Sequence, residues 1–293
     1  MSSQLPEDLS QRYNVVSLLG RGGAGAVYLV DDLKLGRLAA IKVVLSGLVG
    51  ERAWVLRFKR EARVLAALSH PNIVAIYDYV VTPQRAYIIM EYVDGDCLQE
   101  VLDCGPIPAK RAVSYIADLA DALAFAHEKG VLHRDIKPAN IMVSNDEVPK
   151  LMDFGLSKVI TSEAMTKFTD LTGTRDLLGT PLYMAPEVVC SIPHDERADV
   201  YQLGFVLYEL LTGRRPFEVE DLGELIALAV SEDPPNIPKP SSIQSGINAD
   251  LDEIVLEAIA KDPDKRCQKA KTLSEQCKQW LKSGKRKKRS VKK

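Results

Sequence analysis

His133-Arg134-Asp135-Ile136-Lys137-Pro138-Ala139-Asn140 puts a carboxylate, an ammonium and an amide within six positions. The segment follows a predicted helix that ends at Gly130, and it precedes the apolar triplet Ile141-Met142-Val143. It therefore reads as a tight loop between regular elements. A second apolar pair, Leu151-Met152, then leads into Asp153-Phe154-Gly155. Asn140 and Asp153 offer hard oxygen donors of the kind Mg²⁺ requires. Asp135 offers a carboxylate that can be aimed at an acceptor hydroxyl, as phosphoryl transfer requires.

Working outward, Lys42 sits in Ala39-Ala40-Ile41-Lys42-Val43-Val44. Strand alternation puts Ala40, Lys42 and Val44 on one face. A lysine in so apolar a strand needs a partner or must snorkel. Glu61 borders the apolar stripe Val55, Phe58, Ala62, Leu65 and Leu68 of a predicted helix over 52–68. An unpaired carboxylate there is costly, and a Lys42–Glu61 ion pair would answer both problems. Further upstream, Gly20-Arg-Gly22-Gly-Ala-Gly25-Ala-Val27 has glycines spaced for close backbone approach to phosphates. A strand-like run, Ala26–Asp31, follows the glycines, so the dinucleotide-binding turn is disfavoured. A Walker loop is excluded because no Gly-Lys-Ser/Thr follows.

Residues 13–92 carry short β-type runs at Tyr13–Leu19, Ala26–Asp31, Ala39–Leu45, Ile73–Val80 and Tyr87–Tyr92, interrupted by that one helix. Beyond about residue 97 the predicted elements are helices, at Ala112–Lys129, Asp199–Thr212 and Asp250–Lys261. Val200–Leu211 is too short and too interrupted to span a bilayer and reads as a buried core helix. The stretch 153–187 is long, polar and threonine-rich, as functional loops are.

In order, the glycine loop, Ala-Ile-Lys42, Glu61, His-Arg-Asp135, Asn140, Asp153-Phe-Gly and Ala185-Pro186-Glu187 resemble the protein-kinase signature set. The match covers about residues 13–281. Arg57-Phe-Lys-Arg-Glu61-Ala, His70-Pro-Asn-Ile-Val and Asp199-Val-Tyr-Gln-Leu-Gly are most similar to the bacterial, eukaryotic-like (Hanks-type) serine/threonine kinases. The resemblance implies an α+β, bilobal kinase fold: a β-rich N-terminal lobe with one helix, and a mainly helical C-terminal lobe. The implied parts are an extension at 1–12, an N-lobe at 13–92, a hinge at 93–97, a C-lobe at 98–281 and a basic tail at 282–293, disordered or juxtamembrane.

The same resemblance implies the roles. Leu19, Gly20, Gly22, Gly25 and Val27 would belong to the ATP-covering loop. Lys42 would hold the α- and β-phosphates and pair with Glu61. Adenine would lie between Val27 and Ala40 on one side and Met142 on the other. Met90 matches the gatekeeper, and Glu91 to Val93 match the hinge. Asn140 and Asp153 would hold Mg²⁺, with Mn²⁺ as an alternative, and Asp135 would orient the substrate hydroxyl. Lys137 and Gly179-Thr180-Pro181 resemble serine/threonine rather than tyrosine kinases. Phe154, His133 and Leu65 match the apolar stack joining the lobes. Glu187–Arg266 matches a buried ion pair, and Asp199 matches the brace of the catalytic loop. The ribose contact falls at Asp96 or Cys97.

Regulation is implied by Arg134, which could pair with phosphate on the 153–187 segment. Thr172 and Thr174, eight and six residues before Thr180, resemble an autophosphorylated pair. A pseudokinase scaffold would be expected to lack Lys42, Asp135 or Asp153, and all three are present.

The formal net charge of −2 is an average of two unlike parts. Of the 38 basic residues, 8 lie in 282–293, which has no acidic residue; the other 30 face 40 acidic residues over 1–281, a net of −10 there. The resemblance implies that the basic run is a membrane-proximal segment; the alternatives are a tail that binds anionic lipid or nucleic acid by charge and a disordered, solvated end. Without aromatics the run argues against nucleic acid as partner. The expected partners are Ser/Thr-bearing protein substrates and, through the N-lobe, a second copy of the chain. Five cysteines, none at two-residue spacing, and an N-terminus without an apolar run point to a reduced, cytoplasmic setting. The family resemblance, with the basic run as a juxtamembrane stretch, implies the cytoplasmic face of a membrane as the alternative.

Overall fold

A computed structural model describes residues 7–22, 25–44, 51–154, 181–232 and 236–290. These fall into two compact units, divided between Asp94 and Gly95.

The first unit carries α1 (Glu7–Ser10), β1 (Tyr13–Gly22), β2 (Gly25–Asp32), β3 (Arg37–Val44), α2 (Arg52–Ala66), β4 (Ile76–Val81) and β5 (Ala86–Glu91). The strands form one antiparallel sheet in the order β1-β2-β3-β5-β4. β3 lies at its centre, and Ala39 to Val44 are all buried. An interior strand covered on both faces reads as an unbroken apolar run, and this is why Lys42 stands out in it. One face of the sheet, with Val30, Ala39, Ile41, Val43, Tyr87 and Ile89, packs together with Tyr13 and with Leu9 of α1. The register puts Val27, Lys42 and Ile88 side by side on the other face, next to Ala40 and Met90.

On α2 the buried stripe is Trp54, Phe58, Ala62 and Leu65. Trp54 takes the place expected for Val55, which is half-buried. The cause is aromatic packing: Trp54 stacks on Phe58 at 5.1 Å, and Phe58 meets Tyr79 edge-on at 6.2 Å. The turn between β2 and β3 is closed by Asp32, whose carboxylate accepts from Arg12 at 3.2 and 2.8 Å and from the Lys34 and Leu35 N–H groups.

The second unit begins with β6 (Gly95–Cys97), α3 (Leu98–Asp103) and α4 (Ala109–Glu128), followed by β7 (Ile141–Ser144) and β8 (Pro149–Leu151). It continues with α5 (Pro186–Val189), α6 (Arg197–Thr212), α7 (Leu222–Val230), α8 (Pro240–Ile243), α9 (Ala249–Ala258) and α10 (Ala270–Ser290). β6, β7 and β8 form a small antiparallel sheet that periodicity does not predict. Strands of three or four residues are too short to carry a periodic signal, and their pairing defines them. Every residue of α6 from Ala198 to Thr212 is buried. This helix is the axis of the unit, as its all-round apolar character predicts. Gly204 permits the close crossing with α9, because a Cβ there would stand 2.6 Å from the Ala258 Cβ.

The expected disordered or juxtamembrane tail is helical in backbone as far as Ser290, continuing α10. Among the described residues no helix is long and apolar enough to cross a membrane.

Candidate active site

The loop from Val131 to Lys137 has no regular structure, so its backbone groups must be paired by side chains. Arg134 takes a left-handed conformation (φ 69°), which is uncommon for a residue other than glycine. Two residues of α6 hold this turn. Asp199, 1% exposed, accepts from the His133 N–H and the Arg134 N–H, each at 2.8 Å. The same carboxylate meets His127 Nε2 at 2.8 Å. Gln202 accepts from the Ile136 N–H at 3.0 Å and donates to the Arg134 carbonyl at 3.3 Å.

Burial alone would raise the Asp199 pKa, but the His127 hydrogen bond and charge and the Arg134 N–H outweigh it, so the group lies below its ordinary value. A carboxylate whose pKa is depressed by folding stabilises fully above the unfolded value of about 3.9. That stability is lost as pH falls towards the folded value. Thermal unfolding of the wild type and Asp199→Asn from pH 7 to pH 3 should show a gap that narrows below about pH 4. A gap constant across that range would refute the assignment.

His133 is wholly buried, and burial pushes its pKa down, so the ring is neutral. Its Nδ1 accepts from the Asp135 N–H at 3.3 Å, and Nε2–H then donates to the Met152 carbonyl at 3.1 Å. The ring also packs on Phe154, with centroids 4.4 Å apart. One histidine thus ties the Asp135 loop to the segment carrying Asp153.

Asp135 Oδ2 accepts from Lys137 Nζ at 3.1 Å and from Asn140 Nδ2 at 2.9 Å. The Asn140 amide also donates to the Asp135 carbonyl at 2.7 Å. With its N–H groups turned to Asp135, Asn140 keeps Oδ1 as the acceptor for a cation. The Met152 N–H donates to the Asn140 carbonyl at 3.0 Å, and Ile141 pairs with Leu151. Asn140 and Asp153 therefore stand at neighbouring positions on adjacent chain segments. Two hard oxygen donors fit Mg²⁺, which takes one or two protein ligands together with phosphate and water oxygens. Asp153 is also left-handed (φ 66°).

In the first unit, Gly20 pairs with Val27 and Gly22 with Gly25, so β1 and β2 stay paired through the described glycines of the motif. Gly25 has φ 138°, open to glycine but not to side chains. Leu19 is exposed on β1. Lys42 is 8% exposed, with Met90 and Ala40 on its face. α2 packs on that face as well, since Phe58 meets Tyr79 and Tyr79 pairs with Ile88, the cross-strand neighbour of Lys42. Glu61, three residues beyond Phe58, is half-buried. Glu91 ends β5, its Oε2 accepting from the Ala75 N–H, and Val93 is buried. In the second unit Met142 pairs with Cys97 and Lys150. Cys97 is half-buried, with Sγ 3.5 Å from the Pro138 carbonyl, whereas Asp96 is exposed. Thr172, Thr174 and Thr180 lie outside the described residues.

Glu187 and Arg266 form a bidentate buried pair at 2.7 and 3.1 Å. Gln202 is the contributor that motif reading passed over. Its signal is present: a primary amide three residues after Asp199, in a predicted core helix where few residues are polar.

The chain matches the protein kinase domain over residues 13–280. It is 44% identical over 270 residues to the serine/threonine-protein kinase PknB of Mycobacterium tuberculosis, covering 90% of this chain and 42% of that protein. It is 39% identical over 259 residues to the serine/threonine-protein kinase Pkn1 of Myxococcus xanthus, covering 87% and 36%. The chain thus spans about two fifths of the length of the curated relatives it matches. Among solved structures, the PknI kinase domain of M. tuberculosis is similar at a TM-score of 0.69 and 28% identity, covering 92% of this chain and 95% of that one.

Proposed function

We propose, because this chain belongs to the protein kinase domain family, that it transfers the γ-phosphoryl group of ATP to serine and threonine hydroxyls of proteins. The observation that carries this reading is the Asp135 carboxylate held between the Lys137 ammonium and the Asn140 amide, with Asn140 beside Asp153. Asp135 orients the acceptor hydroxyl and takes its proton as the new O–P bond forms and the bond from the γ-phosphorus to the bridging oxygen breaks, releasing ADP. Lys137, hydrogen-bonded to Asp135, stands where it can offset negative charge on the phosphoryl group in flight. Lys42 holds the α- and β-phosphates and is itself steadied by Glu61. Backbone N–H groups of the Gly20–Gly25 motif cover the phosphates, while Leu19, Val27, Ala40, Met90, Glu91, Val93 and Met142 take the nucleoside. Asn140 and Asp153 hold Mg²⁺, which when bound neutralises charge on the phosphate oxygens.

Activation follows from Arg134, beside the catalytic aspartate. Phosphate on Thr172 or Thr174 recruits it and orders the segment, and Thr180 helps dock the substrate. The basic 282–293 run supports an address at an anionic membrane face. The exposed Leu33, Leu35 and Leu38 around the β2–β3 turn support pairing with a second copy.

The test is incubation of the chain with Mg²⁺, ATP and a Ser/Thr peptide library, followed by phosphosite mapping. Phosphate is expected on peptide Ser/Thr and on Thr172 or Thr174. ATP-dependent peptide labelling without phosphate in 161–174 would remove the activation step. No transfer at all would remove the kinase reading.

A further inference from the structure

Gln202 is 2% exposed and lies one helical turn after Asp199 on α6. A primary amide at that depth is costly unless its donor and acceptor ends are both bonded. Both ends bond to backbone on either side of Asp135: Oε1 to the Ile136 N–H, and Nε2 to the Arg134 carbonyl. Two peptide planes meet at the Asp135 Cα. The plane before it is fixed by Gln202 at the Arg134 carbonyl and by His133 Nδ1 at the Asp135 N–H. The plane after it is fixed by Asn140 at the Asp135 carbonyl and by Gln202 at the Ile136 N–H. Gln202 is the one of these side chains that grips both planes. Asp199 grips the neighbouring N–H groups of His133 and Arg134, so residues three apart on one rigid helix hold the whole turn.

We propose, resting on the kinase reading above, that Gln202 is a positioning residue for phosphoryl transfer. It sets the backbone angles of Asp135 and so the direction of the carboxylate. In-line transfer depends on alignment, and a misplacement of about 1 Å can cost on the order of 100-fold in rate.

Gln202→Met keeps the volume and removes both bonds. It should lower kcat by about 10- to 100-fold, leave KM for ATP unchanged and speed amide exchange at Ile136. In an Asp135→Asn background the same substitution should give no further loss, because the group it aims is already gone. An unchanged kcat overturns the proposal. So does an equal fold-loss in the Asp135→Asn background, which marks a purely structural role. Gln202→Glu covers the case in which the methionine variant fails to fold. A buried protonated carboxyl can accept from Ile136 and donate to Arg134 as the amide does. Its kcat should approach that of the wild type at low pH and fall as the acid ionises; a kcat ratio to wild type that is flat with pH overturns the proposal. If the wild type transfers no phosphate, the kinase reading fails by itself, and exchange at Ile136 decides the clamp: unchanged exchange overturns it.

Discussion

Asp135→Asn is expected to lower kcat for the proposed peptide phosphorylation by about 10²- to 10⁴-fold, the usual range for a positioned general base. The substitution is nearly isosteric. Lys137 Nζ and Asn140 Nδ2 both point at Asp135 Oδ2 and can donate equally to an amide oxygen. The loop should therefore hold its shape, pinned as it is by Asp199 and Gln202 on its other side. What disappears is the negative charge proposed to orient an acceptor hydroxyl and receive its proton. The nucleotide roles are assigned to other residues, so ATP affinity should stay within about threefold of wild type, a shift below 1 kcal/mol. Steady-state kinetics with peptide, alongside nucleotide titration of the same preparations, separates the two quantities. A kcat within about threefold of wild type would deny Asp135 its role. Loss of ATP binding would instead show that the aspartate supports the fold.

How much of this site is legible in the sequence depends on how far apart the interacting residues lie. Asp135, Lys137 and Asn140 lie within six positions, and motif reading places all three on one loop. Lys42 is legible because a lone charge in an apolar strand breaks its pattern, and the register sets it beside Ala40 and Met90 as alternation predicts. Asp199 is 66 residues from His133, and no local pattern connects them. Its role enters only through family resemblance. Gln202 lies in the kinase-like phrase Asp199-Val-Tyr-Gln-Leu-Gly, but the resemblance assigns it no role, and its sequence position alone names no bonding partner. The β6–β8 sheet fails for a related reason, because three-residue strands take their identity from neighbours. On α2 the stripe is legible at Phe58, Ala62 and Leu65, and only its first position differs, with Trp54 buried in place of Val55. Stacking of Trp54 on Phe58 outweighs the choice that spacing alone would make.

Arg266→Met should destabilise the chain by about 3–5 kcal/mol, the penalty for stranding one member of a buried ion pair. The Arg266 side chain is fully buried, and its geometry accounts for all five of its N–H groups. Two meet the Glu187 carboxylate, and the others meet the carbonyls of Ala260, Arg197 and Lys261. The guanidinium also lies 4.9 Å from the centre of the Tyr201 ring. Arg266→Lys should lose nearly as much, since an ammonium has three donors and no fork. For a domain of this size the methionine variant should unfold on the order of 10 °C below wild type. The double variant Glu187→Leu/Arg266→Met should regain part of that loss, because no charge is left buried alone, but not all of it, because three carbonyls still lack a donor. Thermal unfolding of the four proteins gives the coupling directly, and strictly additive single effects would refute the pairing. There is a functional consequence as well. Glu187 ends the 153–187 segment and Asp153 begins it; Phe154 is held at one end by His133, and Glu187 at the other by Arg266. The two described ends of the proposed phosphate-responsive segment are thus each anchored by side chains of the same unit. Under the proposed activation by phosphate on Thr172 or Thr174, releasing the Arg266 end should reduce the response of activity to phosphorylation more than it reduces basal turnover.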